Sequence, residues 1–403
     1  MIVKKELDLN EYEPEDRQFI RDMLSYISEH ILDIYIEKEN VILEYEGIFE
    51  DEIKEKLKNI ELLMNKDIGF NGSNMPEIKT LSDYTYRIPQ NKDNIYNQML
   101  DVGMIKEVGI GSYVYSGVFL QVFEYFIMKI KEFWRENFKD LLQEEMDVPV
   151  LMKIEDYEKG RYFESFPHYI MLQTNIINDI ATLSAFTNKK IQSSDIGKYT
   201  KEPKQILRHA ACAPVYSFYE NQVVEQPQTC LVSGKCFRNE EKNIFELSRL
   251  NEFYMMEYVF IGDDINIDAD IKKAKNLWQH WIDTFELNCK IDTANDSFFA
   301  DNYRKLKLFQ LLGEAKQELK IYLPDENQYI ACGSTNYHRT HFTKPYNIRN
   351  KNGYCQSACF AFGLERLTFA LLSQKGLDID CWDNNTREEI EKYVTLSYWK
   401  RKK

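Results

Sequence analysis

No stretch of the 403-residue chain is an apolar run of the roughly 18 residues that a membrane helix needs, so no membrane segment is expected. The first residues, MIVKKELDLNEYEPEDRQ, are charged throughout, so no secretory signal is expected either. Basic charge is scarce: 51 Lys and Arg face 65 Asp and Glu, a net charge of −14. That balance argues against a wide nucleic-acid-gripping surface. The one dense basic cluster, YWKRKK at the C-terminus, reads as a solvated tail. Eight cysteines without a signal segment point to a reducing, cytoplasmic setting, with thiols or metal ligands expected before disulfides. Internal repeats and low-complexity segments are missing too. What is there, 44% hydrophobic and 14% aromatic, is an ordinary globular composition long enough for two or three domains.

Residues 14–38 place Phe19, Met23, Ile27, Ile31 and Ile34 near one face of a helix, VILEYEGI reads as a short strand, and DEIKEKLKNIELLMNK as a second amphipathic helix. The loop GFNGSNMPE (69–77) then breaks the pattern. Residues 1–95 are therefore expected to form a small α+β module. Residues 116–138 predict a helix apolar over more than half its circumference, buried by a sheet on one side and by a second subunit on the other. Strands are expected at 148–154, 210–219, 228–238 and 256–262, and a helix at 268–287 with Trp278 and Trp281 in the core. NQYIACGSTNYH adds a strand, and GYCQSACFAFGLERLTFALL a strand feeding a helix. Separated strands without a βαβ rhythm predict an antiparallel sheet with helices on one side, over residues 96–403.

Two places combine apolar surroundings with charge. In AFGLERLTFALL, Glu365 and Arg366 interrupt a core-like run, and buried charge needs a partner, protein or ligand. In GKCFRNEEKNIFELSRLNEFYMMEYVFIG, Arg238 and Arg249 flank a charged loop and Glu257 sits in an apolar strand, facing away from Met256 and Tyr258. Paired arginines suit the phosphates of a nucleotide, and equally suit a surface hairpin laced with salt bridges.

The two places together carry a resemblance. FRNE followed by Arg249-x-x-x-Phe253-x-x-x-Glu257 resembles motif 2 of the class II aminoacyl-tRNA synthetases, AFGLERLTFALL resembles motif 3, and DVPVLMK with Pro149 resembles the degenerate motif 1, the dimer element. With AACAPVY, FESFPHY, TANDSFF, STNYHRTHF and SACFAFGLER, the chain resembles the amino acid:[carrier protein] ligases from about Leu100 to Trp382. These are truncated homologues of the atypical, zinc-dependent seryl-tRNA synthetases. Residues 1–95 have no counterpart in that comparison.

The resemblance implies an α+β fold, a class II catalytic core of antiparallel sheet flanked by helices. It implies a zinc ion held by Cys212, Glu257 and Cys359 with a position open for the substrate amine. Without it, Cys212 and Cys359 read as buried core thiols. It further places Arg238 at the α-phosphate of ATP, Arg249 and Arg366 at the γ-phosphate, Phe253 against adenine and Glu240 at the adenine amino group, with magnesium bridging the phosphates. Arg238 and Arg366 would be catalytic. Asp296 and Asn336 fall in motifs near the substrate, with a structural turn as their other reading. Departures stand at Tyr254 and Met256, where the family has arginines, at Tyr322 in LKIYL, and in YIACGSTN, which lacks a preceding glutamate. They leave the magnesium ligands and the amino acid unassigned.

The implied activity is ATP-dependent activation of a small amino acid, glycine or alanine, and its transfer to the phosphopantetheine thiol of a carrier protein by a homodimer that uses no tRNA and no membrane. The alternatives are a seryl-type tRNA synthetase and a non-catalytic paralogue acting as a ligand sensor or regulatory subunit.

Overall fold

The computed structural model of the chain describes residues 2–9, 20–37, 40–66, 78–294 and 315–397. The loop 69–77, Asp296 and the C-terminal YWKRKK lie outside them. Near the N-terminus, β1 (Ile2–Asp8), β2 (Ile31–Glu37) and β3 (Asn40–Glu46) form an antiparallel sheet ordered β1-β3-β2, followed by helix α1 (Glu50–Lys66). Its small core joins Leu24, Ile34, Leu43, Tyr45 and Ile53.

The expected helix over 14–38 is corrected here. Residues 20–24 are helical, but Ile31–Glu37 is a strand. The register shifts between Ile31 and Asp33, so an extra residue separates two inward side chains. Ile31 and Ile34 are both buried, and their spacing of three imitates a helix.

The body is one eight-stranded sheet of β4 (Thr80–Asp83), β5 (Leu142–Asp147), β6 (Gln228–Phe237), β7 (Glu252–Gly262), β8 (Cys289–Thr293), β9 (Lys316–Leu323), β10 (Gln328–Arg339) and β11 (Gln356–Gly363). The spatial order is β4-β8-β9-β10-β11-β7-β6-β5. Neighbours are antiparallel except β5 and β6 at one edge. The expected antiparallel sheet is therefore present, with one parallel edge pair. Because β4 pairs with β8, residues 80–83 join the large sheet.

Among the described residues, the longest helices on one face are α2 (Gly117–Asn137), α3 (Asp264–Thr284) and α4 (Leu364–Lys375). Phe119, Val122, Phe126 and Ile130 of α2 recur at helical spacing and are buried. They share a core with Trp278, Trp281, Tyr258, Phe360 and Phe362. Both tryptophans are fully buried, and truncating either to alanine would cost about 3–5 kcal/mol.

The other face carries short helices and irregular segments instead of long helices. The strand expected at 210–219 is a short helix, Ala213–Phe218, a correction the sequence explains: Pro214 stands in its first turn, where a missing N–H costs nothing. Among the described residues, no helix is long and apolar enough to cross a membrane.

Candidate active site

Strand alternation builds the floor of the site. Along β7, Met256, Tyr258 and Phe260 turn toward the helices, while Met255, Val259 and Ile261 turn to the opposite core. Glu257 shares that second face, as its position in the apolar run predicts. On the neighbouring β11, Phe360 and Phe362 go to the helical side and Cys359 to the other. The strands are in register with Glu257 opposite Ala361 and Val259 opposite Cys359. Glu257 and Cys359 therefore meet on one face of adjacent strands.

Cys212 arrives from the third direction, at the start of the short helix. Its backbone N–H donates to Glu257 Oε1 at 2.9 Å. The ligand atoms of Cys212, Glu257 and Cys359 lie within 4.8 Å of one another, and all three residues are buried. The neighbouring Cys359 thiol, burial and the Glu257 charge push Cys212 well above the ordinary thiol range. Cys359 is pulled down by its hydrogen bond with Cys212, yet burial and Glu257 raise it overall. Three acids crowded out of water fit a divalent cation, which converts their mutual repulsion into ligation. Two thiolates and a carboxylate are a zinc donor set with one position to spare.

Asn336, opposite Cys359 on β10, directs its Nδ2 to Ser334 Oγ at 3.2 Å and Cys359 Sγ at 3.7 Å. The register shifts between Tyr337 and Arg339, and the bulged residue, His338, brings Nε2 to 3.7 Å from Cys359 Sγ. Its Nδ1 lies 3.0 Å from the Tyr216 hydroxyl. His338 stands inside the quoted STNYHRTHF, but only the bulge aims it at the thiol.

The arginines line the same cavity, which has a volume of about 1840 Å³ and also admits Cys212, Glu257 and Cys359 to its walls. Arg238 follows β6, which is braced from below by Arg208. That fully buried guanidinium donates to the carbonyls of Val148, Ser233 and Lys235. Gly234 has a φ of +133°, and a Cβ there would collide with Arg208. Arg238 itself donates to the His209 carbonyl at 3.2 Å and lies over the rings of Phe253 and Tyr169, at 5.1 and 5.3 Å from their centroids. Arg249 donates to Glu240 Oε2 at 2.8 Å and to Asp22 Oδ2 at 2.9 Å. Burial opposes its charge, but Glu240 and Asp22 hold it firmly protonated.

Both charged residues at the start of α4 line the cavity. Glu365 accepts the Tyr254 N–H and faces Lys235 at 3.5 Å; burial pushes it up to about 7. Arg366 enters the cavity, donating to the carbonyls of Ser248 and Ala331. Burial first, and Arg249 and Arg238 among its charged neighbours, lower its pKa. Gly363 has an ordinary φ of −91°, and an added Cβ would meet Arg366 carbons only at 3.9 Å.

The cavity thus gathers Arg238, Glu240, Arg249, Phe253, Asn336 and Arg366 with the three acids. Sequence reasoning passed over Asp22, Arg21 and His168. His168, from FESFPHY, is pushed down to about 4 by burial and by Arg249 and Arg238, so it is neutral at pH 7.

Residues 173–379 match the class II core domain of tRNA synthetases (F). Amino acid–[acyl-carrier-protein] ligase 1 of Bradyrhizobium diazoefficiens is 30% identical over 253 residues, covering 61% of this chain and 76% of that protein. Type-2 serine–tRNA ligase of Methanocaldococcus jannaschii is 24% identical over 380 residues, covering 89% of this chain and 72% of that one. Among solved structures, M. kandleri SerRS in complex with A. aeolicus tRNASec shares the fold, with a TM-score of 0.69 at 18% identity, over 100% of this chain and 80% of that one. The last two matches extend into the N-terminal module, for which sequence reasoning found no counterpart.

Proposed function

The chain belongs to the class II tRNA synthetase core family, and from that premise we propose that it activates a small amino acid with ATP and loads it onto the phosphopantetheine thiol of a carrier protein. The observation that carries this reading is a single cavity with Cys212, Glu257 and Cys359 at one end and Arg238, Arg249 and Arg366 at the other. A zinc ion held by the three acids would supply a Lewis acid that binds the uncharged α-amine and so selects amino acids.

The chain's own residues do the rest. Asn336, beside Cys359, orients the substrate near the acids. Phe253 offers a ring for adenine, and Arg238 neutralises the α-phosphate as the amino-acid carboxylate attacks it in line. The α–β anhydride bond breaks and pyrophosphate leaves toward Arg249 and Arg366. Little proton transfer is needed; positioning and charge neutralisation dominate. The carrier thiol, as thiolate, then attacks the acyl carbon and AMP departs. Magnesium accompanies the triphosphate. A homodimer through the exposed edge strand β5 and the Pro149 segment belongs to the same reading.

One observation favours a second acceptor. The serine–tRNA ligase match covers 89% of this chain, more than residues 96–403 alone supply. Under that reading the acceptor is tRNA and the N-terminal module helps to bind it. ATP–pyrophosphate exchange in zinc-replete protein, dependent on one small amino acid, tests the shared first step. Absence of exchange with every amino acid sinks both. Transfer of labelled amino acid to a phosphopantetheinylated carrier and not to tRNA selects the first; the reverse selects the second.

A further inference from the structure

The N-terminal module has so far no part in the chemistry, yet one turn of it touches the nucleotide end of the cavity. Residues Arg21 to Tyr26 dock on the hairpin that joins β6 to β7. Asn243 Nδ2 donates to Ser25 Oγ at 2.7 Å, and the Tyr26 hydroxyl donates to the Asn239 carbonyl at 3.1 Å. Arg21 donates to Asn243 Oδ1 and lies 3.2 Å from Asp22 Oδ1. The Tyr26 ring meets His168 edge-on at 5.0 Å. These contacts join residues more than 200 positions apart in sequence, at the loop that carries Arg249.

Arg238, Arg249 and Arg366 are held differently. Among the described residues, Arg238 and Arg366 have no carboxylate within 4.0 Å; they donate to backbone carbonyls. Arg249 is clamped by two acids, at Nε by Glu240 and at Nη1 by Asp22. Asp22 does not line the cavity, whereas Arg21, on the same turn, does. The clamp therefore pulls on Arg249 from outside the space a ligand would fill. It fixes the guanidinium plane, and Arg21 offsets the negative charge that Asp22 brings.

We propose that this turn is part of the nucleotide site: Asp22 is a positioning residue that holds Arg249 in place, and Arg21 is a further cation on the wall that receives the terminal phosphates of ATP. The module thus completes the triphosphate end of the cavity, and a chain without residues 20–26 reads the adenosine and α-phosphate but loses its grip on the rest. This rests on the ATP reading above.

The test is equilibrium binding of a non-hydrolysable ATP analogue and of AMP to the full chain and to Arg21→Ala, Asp22→Asn and Asp22→Glu. The expected result is that Arg21→Ala and Asp22→Asn each weaken the ATP analogue about tenfold and leave AMP within about twofold, because AMP lacks the phosphates in question. Asp22→Glu, which keeps the carboxylate, recovers part of the loss. In pyrophosphate exchange the same variants raise KM for ATP and leave KM for the amino acid unchanged. Parallel weakening of the analogue and AMP would mean that the turn only supports the fold, and overturns the proposal; so does unchanged or tighter binding of the analogue. If the unaltered chain binds neither nucleotide, the ATP reading itself falls, an outcome distinct from the other two.

Discussion

The two ends of the cavity are built by different means. The end proposed for the metal takes Glu257 and Cys359 from adjacent central strands, where register and alternation leave no choice of direction, and all three acids are buried. The end proposed for the nucleotide takes Arg238 from a strand terminus, Arg249 from a hairpin loop, Arg366 from a helix and the Asp22 clamp from another module. The first is rigid because the sheet is; the second is as rigid as its separate supports. Damage should therefore be all-or-none at the metal end and graded at the nucleotide end.

The largest effect tests the first half of that contrast. Cys359→Ser is expected to abolish stoichiometric zinc in purified protein, measured by elemental analysis, and to lower amino-acid-dependent exchange at least about 100-fold. Retained zinc with retained exchange would break the comparison. Next, Arg238→Ala should lower kcat for exchange by about 10²–10³, the scale for losing one charge-stabilising donor at the reacting centre, while zinc content stays unchanged.

A smaller effect sharpens the boundary between the ends. His338 touches Cys359, one of the proposed metal ligands, without belonging to the set, so His338→Phe should weaken zinc about tenfold in a chelator competition. The thiolate-to-cobalt absorption of the cobalt-substituted protein should shift as well. An unchanged spectrum and affinity would leave His338 a packing residue.

The smallest effect is a pH dependence at the nucleotide end. His168 titrates at about 4 in the folded protein, below the ordinary 6.5, so the unfolded chain binds the proton first. Stability is then full above about 6.5 and is lost as pH falls toward 4. His168→Asn should flatten that part of a Tm-versus-pH curve, measured between pH 7 and 4.5. A slope equal to that of the unaltered chain would place the acid sensitivity elsewhere.

Much of the fold was legible because its signals are local. Residues 116–138 and 268–287 show helical periodicity, and 256–262 and NQYIACGSTNYH show apolar strands; the structure puts a helix or strand at each. Two segments misled for physical reasons. At Ile31 and Ile34 a bulge spaced inward residues like a helix, and in AACAPVY buried apolar side chains hid a proline-started helical turn. At the site, Glu257 was legible from one charged residue in an alternating strand, and the arginines from motif spacing. Asp22 was not, since a single acid in a charged N-terminal stretch carries no local mark.

By itself the sequence determined most of the strands and helices and the face on which Glu257 stands, because alternation and periodicity are properties of neighbouring residues, and its motifs carried the family. Only the tertiary structure decided that Cys212 joins them, that His338 bulges toward a thiol, and that Asp22 reaches Arg249 across 227 positions of chain. Those meetings depend on how separate elements pack on one sheet, and no short window of residues contains that information.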